Sequence, residues 1–120
     1  MFPGIKIDEN ENALKIKILS RINPDKLDSF ENMKRWRKIN QKNETLNYLS
    51  DFQYYYLLYK HPIHDYKDKL FFVTKEDLIV FIKKKINPDL GEGLDIIIAP
   101  ENFSKLVVCN HDGDMYLVIK

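Results

Sequence analysis

Residues 105–120 read KLVVCNHDGDMYLVIK. Two runs of alternating apolar character flank Asp112-Gly113. A type I′ turn needs positive φ at both central residues, and Asp-Gly supplies it at little steric cost. The stretch therefore predicts a C-terminal β-hairpin closed by a two-residue loop. Val107, Cys109, Leu117 and Ile119 then share one face, with Val108, Tyr116 and Val118 on the other. Cys109 falls among apolar neighbours, where a thiol acts as a small hydrophobe, and burial is expected. The competing reading makes a site of Cys109, His111, Asp112 and Asp114. A calcium loop of the D-x-[DN]-x-[DN]-G kind places glycine after its third ligand and ends on a bidentate glutamate. Here Gly113 precedes Asp114 and no glutamate follows. Cys109 and His111 alternate to the same face, but neither an orienting group nor an oxyanion hole accompanies them. The turn is the preferred reading.

Upstream of the hairpin, the pattern stays regular. Pro100-Glu101-Asn102-Phe103 reads as a turn, and LDIIIA (Leu94–Ala99) as the strand before it. LFFV (Leu70–Val73) is short and wholly apolar, which predicts a central strand. Thr74-Lys75-Glu76-Asp77 opens a helix, with Thr74 as cap and acids against the positive end of the dipole. Leu78, Phe81, Ile82 and Ile86 form its buried stripe, Lys83–Lys85 suit its C-terminal end, and Asn87-Pro88 stops it.

The first half is read by the same rules. Ile5 and Ile7 flank Lys6; Leu14, Ile16 and Ile18 alternate with Lys15 and Lys17. Period two with one charged face predicts two strands paired as a hairpin around DENEN. Asn23-Pro24 predicts a helix start, with Leu27, Phe30, Met33 and Trp36 following at threes up to Ile39. A second helix is predicted from Glu44 to Lys60, because Leu46, Leu49, Phe52, Tyr56 and Tyr59 keep spacings of three or four. The aromatic run YYYLLY at its end is also compatible with a strand. His61-Pro62 ends the segment. The order β-β-α-α-β-α-β-β-β predicts an α+β fold: a mixed or antiparallel sheet with helices packed on one face.

At 120 residues the chain is expected to form one domain spanning 1–120, with 44% apolar residues to build a core. A single cysteine excludes an internal disulfide and any thiolate metal cluster. The first residues lack the basic and apolar regions of a signal peptide. No apolar run approaches the roughly 20 residues that span a bilayer, so a cytoplasmic protein without a membrane role is expected. Net charge is +1, which gives no global electrostatic footprint for nucleic acid.

Three clusters are candidates for function. His61-Pro62-Ile63-His64-Asp65 holds two imidazoles and a carboxylate, enough in principle for a metal or for acid–base cleavage of RNA. With ligands at i and i+3 around a proline, however, they share no regular face, and the segment reads as a solvated loop. Met33-Lys34-Arg35-Trp36-Arg37-Lys38, with Lys42 beyond, is the densest basic stretch and supplies the alternative of a small RNA- or DNA-binding protein using residues 34–42. Phe52, Tyr54, Tyr55, Tyr56 and Tyr59 cannot all be inside if helical, because Tyr54–Tyr56 span about 200° of a helix. Outward tyrosines give large contact area at low entropic cost, so Tyr54, Tyr55, Tyr59 and nearby Tyr66 are the candidate anchors for a protein partner. Glu92, Asp95, Asp112 and Asp114 are the candidate acidic rim. No catalytic residue, metal ligand or cofactor is expected.

The stretch from LFFVTKEDLIVFIKKK (Leu70–Lys85) through DIIIAPENFSKLVVCNHDGDMYLVIK (Asp95–Lys120) resembles small bacterial immunity proteins of polymorphic toxin systems. The resemblance lies in the order strand, helix, strand, short turn and terminal hairpin, with Asn110-His111 before the last turn. It implies a protein that binds and blocks a toxin domain from its own locus. It brings no catalytic residues, and the N-terminal half lies outside it.

Overall fold

A computed structural model describes residues 4–19, 37–39, 47–49, 52–59, 69–87, 90–91, 93–109 and 115–119. Among these, seven strands form one antiparallel sheet and two helices flank it. In chain order the elements are β1 (Ile5–Lys6), α1 (Glu11–Leu19), β2 (Arg37–Ile39), β3 (Tyr54–Tyr59), β4 (Leu70–Thr74), α2 (Lys75–Lys85), β5 (Ile96–Pro100), β6 (Lys105–Cys109) and β7 (Met115–Ile119). The strand order is β1-β4-β3-β5-β6-β7-β2. The α+β class and the antiparallel sheet agree with the sequence reading.

The C-terminal half follows its sequence closely. Thr74 caps α2 with extended backbone, and its hydroxyl accepts from the Asp77 N–H at 3.2 Å. Glu76 and Asp77 occupy the first turn and Lys83, Lys84 and Lys85 the last, each matched to the local end of the dipole. Leu78, Phe81 and Ile82 are buried along the inner face. At Pro100–Phe103 the Phe103 N–H donates to the Pro100 carbonyl at 3.0 Å, closing a four-residue turn, and Asn102 Oδ1 accepts from the Ser104 N–H. β6 and β7 then pair with Cys109 opposite Met115 and Val107 opposite Leu117. This pairing puts Val107, Cys109 and Leu117 on one face as expected, but a regular two-residue Asp112-Gly113 loop would place Tyr116 opposite Cys109, so the ladder is one residue away from the register of such a loop. The loop itself lies outside the described residues.

Three first-half expectations are corrected. Leu14–Ile18 is not a strand: α1 spans Glu11–Leu19. Its alternation of apolar and lysine residues is also a sparse helical stripe. Leu14 and Ile18, one turn apart, face the sheet, while Ile16 is exposed. Lys15 pairs with Glu11 at 3.1 Å, four residues earlier, as helical spacing allows. Residues 54–59 are not the end of a helix but β3, flanked by β4 and β5. Aromatic residues fit a pleated surface between two paired neighbours, and that tertiary context outweighs the helical spacing of Phe52, Tyr56 and Tyr59. Residues 37–39 are likewise not helical. They form β2, antiparallel to β7. The remainder of the Asn23–Ile39 helix prediction lies outside the described residues.

Nor do the described helices share a face. Residues on β3 to β6 are buried at both parities, which places two apolar clusters on opposite sides of the sheet. Tyr55, Leu57, Tyr59, Ile96, Ile98, Val107 and Cys109 pack with α2. Leu58, Leu70, Ile97, Ala99, Leu106 and Val108 pack with Ile18 of α1, and Leu14 lies against them. A run such as Ile96–Ala99 is fully buried only if both faces are covered, and this is the physical reason for a helix on each side. β4, read as central, sits second from one edge, between β1 and β3. Among the described residues both edges are held by short strands, of two and three residues, which offer little length for edge-to-edge pairing with other chains.

Candidate partner-binding surface

As a strand, the tyrosine run divides by parity. Tyr55, Leu57 and Tyr59 point to the α2 side, and Tyr54, Tyr56 and Leu58 to the α1 side. Tyr55 is fully buried at 0% exposure. Its hydroxyl donates to the Leu49 carbonyl and accepts from the Phe52 N–H, tying the segment before β3 onto the sheet. Tyr59 is buried too, and burial, followed by the nearby Asp95 carboxylate, holds its phenol above the ordinary tyrosine range. Asp95 is itself only 7% exposed. Tyr55, Tyr59 and Asp95 are therefore withdrawn from the predicted partner surface. A strand packed on its inner face by a helix cannot also present that face to a partner.

Tyr54 does reach solvent, at 42% exposure. Its ring stacks on Phe72, with centroids 5.1 Å apart and planes 12° from parallel. Phe72 meets Tyr56 at 5.3 Å, and Tyr56 stacks on Phe103 at 5.4 Å. The Lys17 ammonium sits 4.8 Å over the Phe103 ring. Register explains the alignment: Ile5 lies opposite Phe72, Phe72 opposite Tyr56, and Tyr56 opposite Ala99, so one cross-strand row runs from β1 to β5. α1 covers the neighbouring row through Leu14 and Ile18. The end formed by Ile5, Tyr54, Phe72 and Tyr56 stays open, with Ile5 74% exposed and Phe72 and Tyr56 half-buried.

Two backbone features hold this row in place. Gly4 has φ +82°, and a Cβ there would stand 2.3 Å from the Phe72 carbonyl oxygen, so β1 docks against β4 only because residue 4 is glycine. Phe103 has φ +57°, an uncommon conformation for a bulky residue, and its buried ring stacked on Tyr56 offsets the local cost.

The sequence missed Phe72 and Ile5 as members of the surface and Phe103 as the buried end of its aromatic row. LFFV, wholly apolar and read as a central strand, contains one residue, Phe72, that is only half-buried. The parity of Tyr54 and Tyr56 would have pointed to the α1 side once the run was taken as a strand. Tyr66, Glu92, Asp112 and Asp114 lie outside the described residues, as do His61, His64 and His111, and Lys34, Arg35, Trp36 and Lys42 of the basic stretch. Cys109 is buried as expected, and burial pushes its thiol up to about 12. Among the described residues no three His, Cys, Asp or Glu side chains gather as a metal would require, and no helix is long and apolar enough to cross a membrane. No protein-family model, curated protein or solved structure matches the chain.

Proposed function

We propose that this chain is a partner-binding protein of the immunity type, acting in the cytoplasm without a cofactor, that neutralises a bacterial toxin domain by covering its active site. The observation that carries the reading is the open end of the aromatic row. Tyr54 is presented on a paired strand with its ring stacked on Phe72. An aromatic anchor held in place before binding loses little side-chain freedom when a partner closes over it. An interface of about 800 Å² per partner is enough to occlude an active site. The resemblance of residues 70–120 to immunity proteins supplies the partner class. Tyr54 is the anchor, with Ile5, Phe72 and Tyr56 around it, and Tyr66, Glu92, Asp112 and Asp114 are the proposed additional contacts and acidic rim.

The test is a binding panel against the C-terminal domain encoded by the gene immediately upstream, and against generic RNA. The wild-type protein is compared with Tyr54→Ala and with a charge reversal at Lys34, Arg35, Arg37 and Lys38. Binding to the toxin domain should weaken by roughly 30-fold or more in Tyr54→Ala, as truncation of a hot-spot residue costs about 2–4 kcal/mol, and should be little changed by the reversal. Tight RNA binding, lost only in the charge reversal, overturns the immunity reading in favour of nucleic acid. Toxin binding indifferent to Tyr54 overturns the choice of surface.

A further inference from the structure

We draw no further inference here: the strongest candidate, the half-open aromatic row Tyr54–Phe72–Tyr56–Phe103 on the α1 side of the sheet with Lys17 at its buried end, belongs to the surface already described, and nothing in the structure shows what else covers it.

Discussion

Tyr55 joins the two jobs a tyrosine can do inside a protein. Its ring fills the core beside Leu57 and Val73, and its hydroxyl gives the backbone at Leu49 and Phe52 a partner that water cannot reach. Tyr55→Phe keeps the ring and removes only the hydroxyl. Buried groups left without a partner cost about 1–3 kcal/mol, and the variant is expected to lose that much in denaturant unfolding. An unchanged midpoint would mean that the hydroxyl bonds carry no stability. Cys109 supports a second residue-scale expectation. Its folded-state pKa is raised to about 12 from an ordinary value of 9.0, by burial. The folded state therefore holds the proton more tightly. This thiol's contribution is fully present below pH 9 and is lost as the pH rises toward 12. Thermal melts between pH 8 and 11 should fall more steeply for the wild type than for Cys109→Ala, and native protein should resist alkylation at pH 8. Rapid native alkylation would contradict the burial.

At the scale of elements, β1 depends on one residue outside it. Gly4 is both left-handed and in close approach to Phe72, so Gly4→Ala must displace β1 from β4. Alanine at positive φ costs about 1 kcal/mol from the backbone alone, and the clash adds to it. Amide exchange should quicken at Ile7, whose N–H donates to Leu70, while α2 stays protected. Full protection at Ile7 in the variant would show that the approach at Gly4 relaxes without cost. Elements with complete local punctuation were legible in the sequence. α2 had its cap, acids, stripe and lysines; the 100–103 turn had proline; β5, β6 and β7 had apolar runs bounded by turn residues. The misread elements had patterns that satisfy two periods at once. ENALKIKIL alternates like a strand, yet one turn of helix brings Leu14 and Ile18 together. FQYYYLLY offers helical spacings, yet its pairing with β4 and β5 is decided by segments far away in sequence. The candidate site suffered for the same reason. A helical reading cannot bury the whole tyrosine run and left Tyr54, Tyr55 and Tyr59 as candidate anchors, whereas a strand with a helix packed on one side buries Tyr55 and Tyr59 and leaves Tyr54.

For the whole molecule, a sheet buried on both sides makes neighbouring residues on one strand equally important. Leu57 faces α2 and Leu58 faces the α1 side, and both are fully buried. Leu57→Ala and Leu58→Ala should each cost about 2–5 kcal/mol by chemical denaturation. If only one face were covered, one of the pair would be nearly silent. The strand order has a further consequence, for how the chain reaches this state. The two edge strands are β1 and β2, both from the first third of the chain, and their partners β4 and β7 are made later. As the polypeptide leaves the ribosome, β2 must wait for residues 115–117 before it can pair. Such distant closures come late and slow folding, because the loop entropy is lost before the contacts form. Until β7 is made, β2 and the side of β6 that β7 will occupy are both unpaired, and it is then, rather than in the finished protein, that these strands are most exposed to association with other chains.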